Sequence, residues 1–300
     1  MMLTEPERAI IKKWNDFSAR PRGNITSFRD DLDKFCVEMR LNDDLPAIGA
    51  FHENIELRSG LRADIAVPKG NGPHPVMLFI HGGGWMAGSP RTHRKLAMQF
   101  AEQGYLTVNV DYRLAPEHPF PAGFDDCVFA AKWIGENIQR WNGNSSRMAI
   151  AGDSAGANLA AAALVVLSGD QSAPKFRAGA LIYGVFDFPT AIERPPNRSA
   201  MEGMARGYLG AQYPTALKDP RVSPLRAIKP GALPPCFVIC GTADALLPES
   251  RSIAAALKEV DIPCELHEIE EMPHAFMMIG ALSACGESHR LMFNFLSRYV

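Results

Sequence analysis

Apolar residues along this chain fall into short runs that alternate with longer amphipathic stretches. The short runs hold six or seven residues and end at Gly, Pro, Asn or Asp, which is typical of buried strands. They predict strands near residues 52–58, 62–67, 75–80, 105–111, 147–152, 178–184, 235–240 and 264–270. The longer stretches repeat their apolar residues every three or four positions. They predict helices near residues 92–103, 122–141, 155–168, 249–260 and 283–298.

This alternation of strands and helices predicts an α/β fold with a mostly parallel, eight-stranded, doubly wound sheet. The first strands follow one another without a helix between them, so we expect the sheet to start antiparallel. Two regions do not fit the alternation. Residues 1–45 carry apolar side chains at helical spacing, among them Trp14 and Phe17, and residues 188–218 are rich in Pro, Met, Arg and Tyr.

Residues 152–156 (GDSAG) lie between the predicted strand 147–152 and the predicted helix 155–168. A Gly-x-Ser-x-Gly at such a junction holds the serine on a sharp turn, with its hydroxyl exposed at the end of the strand. The pattern also occurs by chance in many chains, so its function depends on finding a base, an acid and an oxyanion hole as well. We take Ser154 as the candidate nucleophile and Asp153 as a structural, hydrogen-bonded residue.

Residues 81–85 (HGGGW) follow another predicted buried strand. Three consecutive glycines leave the N–H groups of a loop unobstructed, as an oxyanion hole requires. A phosphate-binding loop is the alternative, but no Lys-Ser/Thr follows the glycines. We predict that the N–H groups of Gly83, Gly84 and Ala155 bind the oxyanion. His81 is expected to shape this loop.

Three histidines follow Ser154. The base is expected among them, because in α/β-hydrolases with a Gly-x-Ser-x-Gly turn the serine is followed along the chain by the acid and then by the histidine. His267 lies in an alternating strand pattern. His289 lies in an amphipathic helix and is expected to face solvent. His274 lies in the loop after the strand 264–270 and is the candidate base.

The candidate acid is Asp244, in the loop after the strand 235–240, because such sheets assemble active sites at the carboxyl ends of their strands. The rivals are Glu249, inside the next predicted helix, and Asp261, at its far end. Residues 112–122 contain further polar side chains, which we interpret as part of a proline-pinned loop that holds the geometry of the site.

Five segments together resemble the hormone-sensitive-lipase-like family of serine esterases, also called bacterial lipase family IV. They are residues 81–85, 112–122, 152–156, 219–224 (DPRVSP), and the pair of loops that hold Asp244 and His274. The resemblance covers roughly residues 75–300 and implies the α/β-hydrolase fold. It also implies that residues 1–45 and 188–218 form a helical cap on a catalytic domain of residues 46–187 and 219–300. The chain departs from the family at Ala157, Ala245, Pro248 and Ala275, which leaves the shape of the acyl pocket open.

The resemblance implies a carboxylesterase that hydrolyses short- to medium-chain acyl esters through an acyl-enzyme, without a cofactor. An amidase or thioesterase on the same triad stays open. A non-catalytic receptor or a lyase is a weaker alternative, because His274 is present and the oxyanion and elbow residues are intact. The expected partner is a small-molecule ester, and a homodimer stays open.

Composition narrows the class of protein further. At 47% hydrophobic and 21% charged residues the chain of 300 residues is typical of globular proteins. The net charge of −2 gives no attraction for nucleic acid or anionic membranes, so neither is expected as a partner. The start of the sequence lacks the basic and apolar regions of a secretory signal, and the longest apolar run is too short to span a bilayer.

The six cysteines are scattered and form no Cys-x-x-Cys. We expect them to be buried free thiols of a cytoplasmic protein. No cluster of His, Cys and carboxylate has the spacing of metal ligands, so no metal is expected.

Overall fold

Eight strands form one sheet in the computed structural model, which describes residues 3–20, 24–194 and 198–300. The strands are β1 (Ala50–Arg58), β2 (Leu61–Val67), β3 (His74–Ile80), β4 (Leu106–Asp111), β5 (Gly143–Asp153), β6 (Phe176–Ile182), β7 (Cys236–Gly241) and β8 (Cys264–Ile269). Their order in the sheet is β1-β2-β4-β3-β5-β6-β7-β8. The pairs β1–β2 and β2–β4 are antiparallel, and every later pair is parallel. The fold class and the antiparallel start predicted from the sequence are confirmed.

The inner parallel strands are buried on both faces because helices cover both sides of the sheet, whereas the edge strand β8 is only half-buried. In β3, Val76 and Leu78 join one core while Met77 and Phe79 join the other. The first core packs against α4 (Ala122–Asn137), α5 (Ala155–Ser168) and α8 (Leu247–Glu259). The second packs against α3 (Arg94–Glu102) and α9 (Ser283–Leu296). The carboxyl ends of the parallel strands stay open as the edge where a site can form.

Four further helices lie in the two segments that interrupt the alternation: α1 (Glu5–Ser18), α2 (Ile25–Glu38), α6 (Phe188–Glu193) and α7 (Arg198–Leu209). Residues 1–2, 21–23 and 195–197 of these segments lie outside the described residues. The rings of Phe17 and Phe35 stack 3.9 Å apart and join α1 to α2. The carboxylate of Glu7 accepts hydrogen bonds from the N–H and hydroxyl of Ser283, which fixes α1 at the start of α9.

Tyr208 of α7 is buried in the first core, which also contains residues of α4, α5 and α8. Its backbone carbonyl accepts a hydrogen bond of 2.8 Å from the N–H of Phe120. The 188–218 segment is therefore fixed to the loop that follows β4, next to the carboxyl ends of the strands.

None of the helices in the described part of the chain is long and apolar enough to cross a membrane. All six cysteines are free thiols, and five of them are buried, as predicted; Cys264 is only half-buried.

Candidate active site

Ser154 lies in a sharp turn between the end of β5 and the first residue of α5, with a φ of 53°. The two flanking glycines are required sterically. A Cβ on Gly152 would lie 2.3 Å from the carbonyl oxygen of Gly156, and a Cβ on Gly156 would lie 1.9 Å from that of Ile80. The Ser154 N–H donates to the carbonyl of Ile182, at the end of the neighbouring strand β6 (2.8 Å). The chain therefore reverses tightly here and leaves the serine side chain partly exposed.

The loops after β7 and β8 bring Asp244 and His274 to Ser154. His274 Nε2 lies 2.9 Å from Ser154 Oγ, and His274 Nδ1 lies 2.7 Å from Asp244 Oδ2. Asp244 is buried, and its Oδ1 accepts the N–H of Leu246 (2.8 Å). The carboxylate is thus held in one orientation beside the imidazole. Such a series lets an imidazole accept a serine proton while a carboxylate stabilises the resulting charge.

The two loops lie close enough to require another glycine. A Cβ on Gly241, at the end of β7, would lie 1.9 Å from the carbonyl oxygen of Met272. This approach sets the separation of Asp244 and His274, because each follows its contact by only two or three residues.

Gly83 and Gly84 lie in the loop after β3, which pairs with β5 so that Ile80 is opposite Gly152. Both glycines have positive φ, 120° and 63°. A Cβ on Gly83 would lie 2.1 Å from the carbonyl oxygen of Ala87, so the loop turns back on itself as soon as it leaves the sheet. Ala155 is the first residue of α5, whose unpaired N-terminal N–H groups stabilise negative charge. The loop glycines and the helix start both flank the elbow serine.

Asp153, next to Ser154 in the sequence, fixes the start of the glycine loop. Its Oδ1 accepts the N–H of Gly82 at 2.9 Å, and its Oδ2 lies 3.4 Å from His93 Nε2. Burial alone would raise the pKa of Asp153, but His93 and the Gly82 N–H outweigh it and lower the pKa. Asp153 is therefore a charged group inside the protein, and its predicted structural hydrogen bonding is confirmed.

His81 is fully buried behind the glycines. Its ring stacks on Tyr112 with centroids 4.4 Å apart, and Nδ1 lies 2.8 Å from the Gly82 carbonyl. Burial and the neighbouring His93 lower its pKa to about 3. The imidazole is neutral near pH 7 and packs against the loop.

The other candidate bases and acids named from the sequence have different surroundings. His267 stacks on Phe237 within the sheet. His289, expected to face solvent, is only 6% exposed, so that expectation was wrong. The reason is its position on α9, one turn after Cys285 and one turn before Met292, both of which point into the core. Asp261, in the turn after α8, is exposed.

Glu249 is buried and accepts hydrogen bonds from the backbone just after β6. Its Oε2 accepts the N–H groups of Phe186 and Asp187 at 2.9 and 2.8 Å, and Oε1 lies 3.2 Å from Arg194 Nη1. Burial raises its pKa, against the effect of these hydrogen bonds. Glu249 thus fixes the start of the 188–218 segment.

Residues 112–122 pack beside the site, as the sequence predicted. The Tyr112 hydroxyl donates to the His81 carbonyl (2.9 Å), and Arg113 pairs with the buried Asp126 (2.8 Å). The first contact holds the loop against His81, which precedes the glycines, and the second holds it against α4.

Asn158 is a further buried residue of the site that the sequence reasoning missed. Its Nδ2 donates to the carbonyls of Val185 and Val222, both at 2.8 Å, and its Oδ1 accepts Trp85 Nε1 at 3.2 Å. One amide therefore joins the helix after Ser154 to the residue that follows the loop glycines. Its signal was a lone amide inside the apolar run of α5.

Tyr183 was also missed. It lies at the end of β6 with a φ of 39°, and its ring meets the edge of the His274 imidazole with centroids 5.0 Å apart. This buried aromatic ring limits the orientations that the His274 imidazole can take.

Comparisons with known proteins identify the same fold. A family model described as alpha/beta hydrolase fold matches residues 77–278. The carboxylesterase NlhH of Mycobacterium tuberculosis is 33% identical over 219 residues, which cover 68% of this chain and 66% of that protein. The putative alpha/beta hydrolase R526 of Acanthamoeba polyphaga mimivirus is 28% identical over 298 residues, covering 91% of this chain and 82% of the relative.

Solved structures resemble the whole chain. A hyperthermophilic esterase from the archaeon Pyrobaculum calidifontis superimposes with a TM-score of 0.87 at 27% identity, and 99% of both chains is covered. An esterase of the bacterial hormone-sensitive lipase family gives a TM-score of 0.83 at 29% identity, also over 99% of both chains. The fold and the site define an α/β hydrolase. Within that class, the chain belongs to the hormone-sensitive-lipase-like family of carboxylic ester hydrolases.

Proposed function

We propose that this protein is a serine carboxylesterase that hydrolyses short- to medium-chain acyl esters through an acyl-enzyme on Ser154. The observation that carries the proposal is the series of two hydrogen bonds from Ser154 Oγ to His274 and from His274 to Asp244. The relatives named carboxylesterase and esterase support the same reaction class.

In the proposed mechanism, His274 Nε2 takes the proton of Ser154 as the hydroxyl attacks the ester carbonyl. The N–H groups of Gly83, Gly84 and Ala155 stabilise the oxyanion of the tetrahedral intermediate, where one donor is worth about 2.7–4 kcal/mol. His274 then protonates the leaving alcohol, and Asp244 stabilises the imidazolium. Water, activated by the same imidazole, hydrolyses the acyl-enzyme.

We also propose that the helices α1 and α2 together with residues 188–218 act as a cap over this site. Trp85, directly after the loop glycines, stacks on Tyr208 of α7 at 4.8 Å and lies 5.0 Å from Phe188 of α6. These ring contacts join the loop glycines to the 188–218 segment and support a cap that packs directly against the site.

A ladder of p-nitrophenyl esters from acetate to palmitate tests the proposal on the wild type, Ser154→Ala and Ser146→Ala. Ser146 is an exposed serine of the same strand and serves as the matched control. We expect a maximum at short or medium chains, loss of turnover by up to about a million-fold in Ser154→Ala, and no change in Ser146→Ala. Ester hydrolysis that survives Ser154→Ala would refute the triad. Faster turnover of a matched anilide or thioester would favour the amidase or thioesterase alternative.

A further inference from the structure

Arg29, on the N-terminal helix α2, reaches across to two loops at the candidate site. Its Nε donates to the carbonyl of Met86 at 2.7 Å, and its Nη2 donates to the carbonyl of Ala115 at 3.0 Å. Both terminal nitrogens also bind the carboxylate of Glu117, at 2.9 and 2.7 Å. One guanidinium thus joins α2, the turn after the loop glycines and the loop that follows β4.

The Met86 carbonyl belongs to the turn that carries the oxyanion donors. The N–H groups of Met86 and Ala87 both return to the carbonyl of Gly83, at 3.3 and 3.0 Å. Gly83 and Gly84 therefore lie at one end of a closed turn, and the carbonyl held by Arg29 lies at the other. A tilt of the turn at Met86 would also tilt the peptide groups of the two glycines.

Ala115 completes the connection. Its N–H donates to the carbonyl of Trp85 at 3.0 Å, while its own carbonyl accepts Arg29. The two adjacent carbonyls of Trp85 and Met86 are thus fixed in a ring of hydrogen bonds. Trp85 has a φ of 61°, which an L residue adopts only where its surroundings hold it.

An arginine suits this position because its planar group presents five donors at fixed angles, so it can bind two carbonyls and a carboxylate together. A lysine ammonium has only three donors on a compact centre and cannot span both loops. The side chain of Arg29 is 31% exposed and that of Glu117 is 51% exposed. The hydrogen bonds from Arg29 to the two carbonyls are therefore less accessible to solvent than its ion pair with Glu117.

We propose that Arg29 is a positioning residue for the oxyanion hole, acting through the carbonyls of Met86 and Ala115 on the N–H groups of Gly83 and Gly84. The proposal rests on the proposed esterase function and extends it to an α2 residue outside the triad. Donors must lie within about 2.7–3.1 Å of the developing oxyanion, so a small displacement of the turn weakens transition-state stabilisation more than substrate binding.

The test compares Arg29→Met, Arg29→Lys and Glu117→Gln with the control Asp33→Asn. Asp33 lies one turn further along α2 and pairs with Arg91, so its variant removes an ion pair of the same helix without touching the oxyanion turn. Competent sites are counted by burst titration, so that turnover is expressed per folded enzyme. The second readout is the affinity of a trifluoromethyl ketone, which forms a tetrahedral adduct with the serine and places its oxyanion among the same donors.

We expect Arg29→Met to lower kcat about 10- to 100-fold with KM within about two-fold of the wild type, because acylation and deacylation both use the oxyanion hole. The affinity for the ketone should fall by the same factor as kcat. Arg29→Lys should keep part of the activity, and Glu117→Gln should lose less than Arg29→Met, because the two carbonyl contacts persist. Asp33→Asn should keep the kcat of the wild type.

Unchanged kcat in both Arg29 variants, or an equal loss in Asp33→Asn, would overturn the positioning role and leave Arg29 as a helix anchor. A loss confined to KM would overturn it as well. A failure of the proposed function is separately visible, since the wild type would then show no ester hydrolysis that Ser154→Ala abolishes.

Discussion

Acid should destabilise this protein partly through the buried imidazole of His289. Burial, together with the positive charge of Lys95, lowers its pKa from 6.5 to about 4. In the unfolded chain the imidazole takes up its proton near pH 6.5, whereas in the folded protein it does so only near pH 4. Acid therefore favours the unfolded state, and the stability that the neutral, buried His289 allows above pH 6.5 is lost as the pH falls towards 4. At pH 5.0, about 1.5 units below the unfolded pKa and at about 1.36 kcal/mol per unit, the loss is about 2 kcal/mol relative to pH 7.5.

The assay is urea unfolding at pH 7.5 and 5.0, followed by tryptophan fluorescence, for the wild type, His289→Phe and His289→Gln. Either substitution can change the unfolding free energy at both pH values. In both variants, however, the difference in unfolding free energy between pH 7.5 and pH 5.0 should be about 2 kcal/mol smaller than in the wild type. Ser288→Ala is the matched control, because it alters a buried neighbour on α9 that does not titrate. If both His289 variants kept the full pH dependence of the wild type, the imidazole would not be buried and neutral, and the placement of this face of α9 would be refuted.

Two further substitutions test the packing around the serine. Gly156→Ala should abolish activity and soluble folding, since its Cβ would lie 1.9 Å from the Ile80 carbonyl oxygen. Gly286→Ala on α9 is the control: beyond its own stretch of helix, the added Cβ would meet no atom of the described residues within 4 Å, so this variant should fold and be more stable by up to about 1 kcal/mol. Soluble yield and melting temperature compare the pair, and a well-folded, active Gly156→Ala would contradict the elbow geometry. Asn158→Asp should cost about 3–5 kcal/mol of unfolding free energy, because a carboxylate cannot donate to the two carbonyls that the amide binds. Asn144→Asp, at the surface end of β5, should cost less than about 1 kcal/mol, and similar melting temperatures for the two variants would count against the buried role.

The inner strands of the sheet could be predicted because they are buried on both faces and consist mostly of apolar residues. Once β5, β7 and β8 are recognised as parallel, the loops that follow them must lie at one edge. Together with the Gly-x-Ser-x-Gly motif, that topology leads to the expectation that Ser154, Asp244 and His274 are neighbours, and the structure brings the three together. The start of β5 at Gly143 was missed, because the polar residues Asn144 to Ser146 hide the strand pattern.

The remaining features depend on contacts between residues far apart in the sequence. Arg29 meets Glu117 across 88 positions, and nothing in either local pattern indicates the other. His93 reaches Asp153 in the same way. The error at His289 has a local cause: a histidine was assigned to the polar face of its helix by type, although its spacing from Cys285 and Met292 places it on the apolar face.

The distribution of the candidate site over loops after β3, β5, β7 and β8 has a consequence for protein synthesis. The candidate nucleophile and base are separated by 120 positions, and β8 leaves the ribosome after the other seven strands of the sheet. A nascent chain holds Ser154 and the glycine loop for several seconds before His274 emerges, at about 5–20 residues per second. On the proposed mechanism, the serine hydroxyl lacks its proton acceptor during that interval, so we expect the growing polypeptide to be inactive towards esters. We therefore expect ester hydrolysis to begin only after β8 has paired with β7 at the edge of the sheet and the His274 imidazole lies beside Ser154.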